Sequence, residues 1–285
     1  MPRARPHAIP TSLGEYGRGV VGGLIFSLPL LFTMEVWWTG FTASPARLLA
    51  ALAGTFLLLI AYNAVAGLRH DYQPIEVLID SVEELGIGLM VSAGALALLA
   101  RIDGSMPTIE IVGKVVVEGM LVAIGVSVGT AQLSGGDPEN MAGGEGSGAG
   151  RGARSHSTAN VVVLSLCGAV LLAANVAPTE EVVVLGTEAS PLRLLLTMVA
   201  SISIAAVTLF FSEFHGSHHL RADRSVRVVA LGCVIAYSVA LLSSAGLLWF
   251  FGRFDDASAL VIVGETVVLA FPATIGAAAG RLLLQ

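Results

Sequence analysis

The sequence predicts an all-α membrane protein of eight transmembrane helices, built as two parallel four-helix repeats with both termini in the cytoplasm. Three observations predict this fold. Hydrophobic residues make up 55% of the 285 residues and charged residues only 13%, a balance that soluble domains do not need. Eight apolar runs can each cross about 30 Å of hydrocarbon at about 1.5 Å per residue. A motif of the first run also recurs in the fifth.

The eight apolar runs are predicted to be helices because a helix satisfies its own backbone hydrogen bonds in lipid. The runs also lack the regular alternation of polar and apolar residues that is typical of a membrane β-barrel. The predicted spans cover residues 18–41, 46–68, 75–100, 108–131, 160–186, 191–212, 225–251 and 258–281.

A duplication relates the two halves of the chain. Residues 33–49 match residues 179–195 at ten of seventeen positions, and residues 111–129 match residues 262–280 at eight of nineteen. Because each half contains an even number of predicted spans, both halves should point the same way across the membrane, related by an axis along the membrane normal.

These boundaries divide the chain into four parts. A cytoplasmic N-terminal segment covers residues 1–17 and the first repeat covers 18–133. A Gly-rich stretch at 134–159 has the composition of a flexible linker, and the second repeat covers 160–285. Ten arginines fall on the side of the termini and four on the other, and this bias places both termini in the cytoplasm.

Composition also argues against several functions. Cys167 and Cys233 both lie in apolar runs, where a disulfide framework is not expected. The sequence contains no Ser-His-Asp, Cys-His or zinc-hydrolase pattern, so we expect neither an enzyme nor a cofactor. The expected partners are the lipid bilayer and a proton or small cation, with a homo-oligomer as a further option. Nucleic acid is not expected.

Charged side chains inside a membrane are costly, and they mark ion pathways or internal ion pairs. Helix rise places Glu35 and Glu181 about 7 Å inside the outer boundary, and Lys114 and Glu265 about 10 Å inside it. The candidate ion-binding or relay residues are therefore Glu35, Glu180, Glu181, Glu265, Lys114 and Glu118, the last of them near the midplane.

Lys114 is the only lysine in the chain, and the duplication aligns it with Glu265. Opposite charges at equivalent positions predict an ion pair across the central axis, with Glu118 one turn away as a further partner. That pair could hold the repeats together. Alternatively, the lysine could be released or neutralised during a transport cycle, as buried lysines can be.

Both halves contain a Ser-Pro-x-Arg motif, at residues 44–47 and 190–193. The serine is predicted to cap the next helix and the proline to begin it. An arginine so close to a helix N-terminus opposes the helix dipole and needs a carboxylate partner. The predicted structural ion pairs are Glu35 with Arg47 and Glu181 with Arg193, which is the alternative to an ion-binding role for these acids.

Two further groups of charged residues face the predicted cytoplasmic side. Asp80 and Glu84 belong to an acidic stripe in the third span. The stripe either matches basic residues of the seventh span or relays ions inward. The second group, His215, His218 and His219, could bind a divalent metal or form a solvated, pH-responsive cluster.

Glycines and prolines shape the predicted spans. The Gly-x-x-x-Gly pairs at 125–129 and 276–280 predict close helix crossings. Pro29 and Pro178, each close to one of the repeated acids, could expose backbone carbonyls, and helices broken at membrane depth often line a cavity.

The run Leu28-Pro29-Leu30-Leu31-Phe32-Thr33-Met34-Glu35-Val36-Trp37-Trp38 resembles the N-terminal signature of a family of uncharacterised bacterial integral membrane proteins. The resemblance implies a multi-pass protein of the bacterial inner membrane. It implies no catalytic or binding residues, because the function of that family is unknown.

The function that these observations favour is transport of protons or a small cation through a carboxylate-lined site between the two repeats. A passive ion channel, which could be oligomeric, is the alternative within transport. A membrane sensor or scaffold that transports nothing is the alternative outside it.

Overall fold

A computed structural model of the chain describes residues 9–66, 74–133, 158–216 and 222–282. Within these residues it contains ten α-helices and no β-strand. The helices are α1 (Ile9–Leu31), α2 (Met34–Thr42), α3 (Pro45–Ala66), α4 (Pro74–Leu98), α5 (Thr108–Leu133), α6 (Thr158–Ala174), α7 (Glu180–Glu188), α8 (Pro191–Gly216), α9 (Ala222–Phe250) and α10 (Ala259–Leu282). The predicted linker at 134–159 falls almost entirely outside the described residues.

Six of these helices, α3, α4, α5, α8, α9 and α10, are long and apolar enough to cross a membrane. Helices α1 and α2 meet at 88° and make a seventh span if they are counted together. Helix α6 is apolar but has only 17 residues. The structure therefore supports six or seven full spans, and the short helix α6 occupies the place of the eighth.

The predicted continuous helices over 18–41 and 160–186 are wrong, because each is broken near its C-terminal end. Pro29 has no N–H to donate, and Thr33 adopts an extended backbone with φ −97° and ψ 113°. Thr179 is likewise extended, with φ −77° and ψ 151°, directly after Pro178. Each break starts a new short helix, α2 or α7.

Serine and proline begin the helices that follow. Arg47 and Arg193 donate their backbone N–H groups to the hydroxyls of Ser44 and Ser190, both at 3.4 Å. Helices α3 and α8 begin at the prolines of the same motifs. The predicted capping is confirmed at both motifs.

Helices α4 and α9 end in the same way. Ala100 and Gly252 adopt positive φ angles of 52° and 74°. The following arginine in each case, Arg101 or Arg253, donates its backbone N–H to a carbonyl five residues earlier, at 2.8 and 2.9 Å. This is the Schellman arrangement that ends many helices, and it aims both arginines back towards the broken helices.

Close glycine contacts hold α1 against α5 and α6 against α10. A Cβ atom on Gly22 would lie 2.5 Å from the Cα atom of Gly129. Gly168 lies equally tightly against the backbone of Gly276 and Gly280. The predicted crossings at the Gly-x-x-x-Gly pairs are confirmed, since only glycine permits backbones to approach so closely.

The two halves of the chain meet through α3 and α5 on one side and α6 and α9 on the other. A cavity of about 310 Å³ lies at this junction, lined mainly by apolar side chains such as Leu58, Leu121, Val170 and Phe250. Among the described residues, none of the charged side chains predicted to bind an ion lines this cavity. The enclosed charges instead lie inside each half.

Candidate ion-binding site

Helices α2 and α7 pack on the first turns of α5 and α10, so that they cover the predicted ion-binding layer. A Cβ atom on Gly40 would lie 2.6 Å from the Cα atom of Lys114. In the other half, a Cβ atom on Gly186 would lie 2.7 Å from the backbone nitrogen of Glu265. Lys114 and Glu265 therefore occupy matching places beneath matching glycines.

Lys114 is only 6% exposed, and its ammonium group is fully engaged by its own half of the chain. Its Nζ atom lies 2.6 Å from Oε1 of Glu110, one turn away on α5. It also donates to the backbone carbonyl of Arg101 at 3.2 Å and lies 5.7 Å from the centre of the Phe41 ring. The predicted pair with Glu265 is wrong, because the nearer carboxylate on the same helix reaches the lysine first.

Glu118, one turn deeper on α5, is fully buried. In the part of the chain that the structure describes, neither of its carboxylate oxygens has a hydrogen-bond partner. Glu265 is also buried, at 1% exposure, and its Oε2 atom lacks a partner among the same residues. Such groups are rare in proteins, because an enclosed polar atom without a partner costs about 1–3 kcal/mol.

The helix breaks place the three remaining outer acids differently from the prediction. Glu35 is partly buried in the first turn of α2, and Glu180 and Glu181 are exposed in the first turn of α7. Carboxylates are stabilised at helix N-termini by the dipole and by free backbone N–H groups. These acids therefore begin short helices rather than lie within continuous membrane spans.

Arg47 pairs with a residue of the opposite half of the chain. Its guanidinium donates to both carboxylate oxygens of Asp255, with Nη1 2.7 Å from Oδ2. These hydrogen bonds, and the positive charge that makes them, lower the pKa of Asp255 below its ordinary value. The predicted Glu35 partner for Arg47 is thus wrong. Arg193 is exposed and forms no ion pair with the described side chains.

The arginines after the ends of α4 and α9 contact the broken helices. Arg253 donates to Oε1 of Glu180 at 2.9 Å and to the backbone carbonyl of Pro178. Arg101 lies over the ring of Trp37 in α2, with its guanidinium carbon 4.8 Å from the ring centroid. No role is predicted for these arginines from the sequence, although their matching positions after Ala100 and Gly252 are a usable signal.

A second polar cluster lies towards the predicted cytoplasmic side, where α3, α4 and α5 meet. The side-chain amide of Asn63 donates to Oε2 of Glu84 at 2.8 Å and to the hydroxyl of Ser81 at 3.1 Å. The hydroxyl of Ser127 donates to Oδ1 of Asn63 at 3.2 Å. Of these four residues, only Glu84 is among the candidates predicted from the sequence. An amide near the end of an otherwise apolar run was the available signal for Asn63.

The remaining predicted candidates are Asp80 and the three histidines, and of these Asp80 lies near enough to Glu84 to interact with it electrostatically. Asp80 is partly buried, one residue from Ser81 on α4. The side chain of His215 and the whole of His218 and His219 lie outside the described residues. Within the residues that are described, no three His, Cys, Asp or Glu side chains come together as a metal site.

Apolar helices long enough to cross a membrane, packed through glycine and enclosing carboxylates, define a polytopic integral membrane protein. The chain belongs to DUF2391, a family of integral membrane proteins of unknown function, over residues 15–284. The family resemblance expected from the sequence is confirmed. Neither a curated protein nor a solved structure shows significant similarity to the chain.

Proposed function

We propose that this protein moves protons or a small cation across the bacterial inner membrane, and that Glu118 is the central carrier residue. The observation that supports the proposal is the complete burial of Glu118 with both carboxylate oxygens unpartnered among the described residues. Acidic side chains enclosed at membrane depth are typical of proton relays and ion pathways.

The physical argument concerns the cost of the charge. An ionised carboxylate in an apolar interior is strongly unfavourable unless a counter-charge accompanies it. Lys114 does not supply that charge, because its ammonium group is already bound by Glu110. A transported proton or cation would supply the positive charge that balances the Glu118 carboxylate. When the proton or cation leaves, the ionised carboxylate is again unbalanced in an apolar interior. Binding at Glu118 is therefore coupled to the conformation of the surrounding helices.

We infer that the architecture is two parallel four-helix units with cytoplasmic termini, in which α1–α2 and α6–α7 are equivalent broken elements. Matching contacts support this. Gly22 lies against Gly129 as Gly168 lies against Gly280, and Gly40 covers α5 as Gly186 covers α10. The arginine distribution of the sequence supports the orientation.

The two units are alike in backbone packing but differ at the position of the carrier. The alignment that matches Gly113 with Gly264 also matches Glu118 with Leu269, which is fully buried. A leucine is sufficient for packing at that depth. The acid in the N-terminal unit therefore has no structural reason to be there, which supports a functional role.

The carrier would connect two polar groups of the same unit. Lys114 and Glu110 lie on the outer side, at about 6 Å and about 12 Å of helix rise from Glu118. Glu84 lies on the opposite side, within the cluster around Asn63. Glu265, the enclosed acid of the other unit, is placed as a second and weaker binding group. We propose transport without covalent chemistry, so no catalytic residue is assigned.

The proposal is tested by flux in proteoliposomes loaded with a pH-sensitive dye, with gradients of protons, sodium or potassium applied in turn. Glu118→Gln keeps the shape of the side chain and removes its charge, and we expect at least a roughly tenfold loss of flux, typical for a lost proton-transfer group. Glu181→Gln is the matched control, because that acid is exposed on α7, and it should retain wild-type flux.

Glu118→Leu is a second variant in case Glu118→Gln does not fold, because the C-terminal unit already has leucine at the equivalent position. Glu35→Gln combined with Glu181→Gln tests the outer acids directly. If wild-type protein shows no flux under any gradient, or if Glu118→Leu folds and transports normally, the proposed function is wrong. If only the Glu35 and Glu181 double variant loses flux, the site lies in the outer layer instead.

A further inference from the structure

We propose that Asn63, Ser81, Glu84 and Ser127 form a binding site for a small monovalent cation of the sodium type, near the cytoplasmic ends of α3 and α5. This inference rests on the proposed function and names its substrate class. The site is separate from Glu118 and would be the first binding point for an ion that enters from the cytoplasm.

The donor atoms suit such an ion. The four side chains carry one carboxylate, one amide oxygen and two hydroxyls, contributed by three different helices. In the structure the amide NH2 group of Asn63 lies between Glu84 and Ser81, so an ion would bind there in place of that NH2 group, after rotation of the amide. Hard cations take oxygen ligands of these kinds. Glu84 is the only carboxylate among the four cluster residues and would balance a single positive charge. Asp80 and Glu83 of the same helix also interact electrostatically with Glu84.

A further oxygen donor adjoins the cluster. Tyr62 is only 2% exposed, and its hydroxyl has no hydrogen-bond partner among the described residues. It lies near enough to Glu84 for an electrostatic interaction with that carboxylate. It also lines a cavity of about 80 Å³ between the two halves, together with Cys167 and Phe26. Tyr62 thus offers an enclosed hydroxyl near the cluster, and the cavity it lines is otherwise apolar and includes none of the four cluster residues.

The C-terminal half shows that the fold does not need polar side chains here. The two halves align at Ser44 with Ser190, at the helix ends Ala100 with Gly252, and at Gly129 with Gly280. Counted from these points, the positions that correspond to Asn63, Ser81 and Ser127 are occupied by Leu209, Cys233 and Ala278. These three residues pack together in one apolar cluster, and the position of Glu84 corresponds to the fully buried Ala236. One helix junction is therefore polar and its counterpart apolar. A packing role does not explain that difference, and ion binding does.

The depth of the cluster suits entry from the predicted cytoplasmic side. Asn63 lies three residues before the end of α3 at Ala66, and Ser127 lies six residues before the end of α5 at Leu133. At about 1.5 Å per residue these groups are within about 10 Å of the helix ends. An ion bound there would be close to water and would still be enclosed by three helices.

The site is tested by thermal unfolding of the detergent-solubilised full chain at pH 8, with sodium chloride replacing choline chloride at constant ionic strength. Wild-type protein should gain about 3–6 °C in Tm at a sodium concentration about ten times Kd, because a ligand that binds only the folded state stabilises it. Choline is too large for the site and should produce no gain.

Three variants identify the ligands. Ser127→Ala and Glu84→Gln should each raise the sodium concentration for half-maximal stabilisation at least tenfold. The control Glu76→Gln removes an exposed acid of the same helix and should leave the sodium response unchanged. If Glu84→Gln does not fold, Asn63→Leu, which copies the C-terminal half, takes its place. The site is overturned if the sodium response is unchanged in Ser127→Ala and also in Glu84→Gln, or in Asn63→Leu where that variant replaces it.

Direct binding of radioactive sodium to purified protein separates this inference from the proposed function. Sodium binding that Glu84→Gln abolishes, in a protein without flux, would support the site and refute transport. Proton flux with neither sodium binding nor sodium stabilisation would support transport and overturn the cation site, leaving the cluster as a proton-binding group. Equal stabilisation by sodium and choline would also overturn it.

Discussion

The guanidinium of Arg47 and the carboxylate of Asp255, 208 residues apart in the sequence, form a bidentate pair that joins the two halves of the protein on the side of the α9–α10 loop. Arg47 also lies 5.8 Å from the ring centroid of Trp249. Asp255 is 55% exposed and therefore screened by solvent. The pair thus serves to align the halves more than to stabilise them.

This pair predicts a specific pH dependence. Since Arg47 lowers the pKa of Asp255, the contribution of Asp255 to stability is complete above the ordinary pKa of 3.8 and is lost as the pH falls through the lowered value. We expect Asp255→Asn to have a slightly lower Tm than wild type at pH 7, with the difference disappearing in strong acid or high salt. Asp256→Asn is the matched control, and identical profiles for the two variants would contradict the pairing.

The glycine crossing between α1 and α5 predicts a steric effect. In Gly22→Ala the new methyl group would lie against the Cα atom of Gly129, so that the helices must separate, at a cost of about 1–3 kcal/mol. Gly54→Ala is the control, because no atom lies within 4 Å of its Cβ position. Denaturant unfolding in mixed micelles should show the loss only for Gly22→Ala. Equal stability of the two variants would contradict the close crossing.

The ion pair of Lys114 and Glu110 predicts an energetic coupling within α5. A double-mutant cycle with Lys114→Met and Glu110→Gln should yield a coupling of at least about 0.5 kcal/mol, as residues in direct contact do. The cycle of Lys114→Met with Glu265→Gln should yield a coupling near zero, because Lys114 is held by Glu110. A larger coupling of Lys114 to Glu265 than to Glu110 would contradict this pairing and support the ion pair between Lys114 and Glu265.

The contacts of Arg253 predict that it stabilises the break between α6 and α7. Arg253→Ala removes the donor that satisfies the Pro178 carbonyl and separates Glu180 from its partner. We expect a loss of about 1–3 kcal/mol in the free energy of unfolding. Arg193→Ala, at an exposed position, should change it by no more than about 0.5 kcal/mol. Similar effects of the two variants would show that Arg253 does not stabilise the break.

Much of the local structure could be predicted from the sequence. The Ser-Pro motifs begin α3 and α8 because a hydroxyl and a proline suit a helix N-terminus wherever the helix lies. The glycine crossings followed from Gly-x-x-x-Gly spacing, because a missing side chain permits close approach in any surrounding. Six apolar runs are so long that their length alone predicts that each spans the membrane.

The two helix breaks could not be placed from hydropathy, because apolar residues continue through both of them. The prolines were visible, but a proline in a membrane helix often produces only a kink. What permits the full turn is the packing of α2 and α7 on α5 and α10, where Gly40 and Gly186 meet the helices beneath them. Those contacts join residues more than 70 positions apart.

The sequence by itself determined the class of protein and most of its helices, because these properties depend on local composition and spacing. Only the tertiary structure decided which charges meet. Lys114 pairs with Glu110 rather than Glu265, Arg47 pairs with Asp255 rather than Glu35, and Glu84 joins Asn63 and Ser127. The physical reason is that an ion pair forms with whichever partner the packed helices bring within reach. The spacing of two residues along the chain does not determine the distance between their charged groups in the fold.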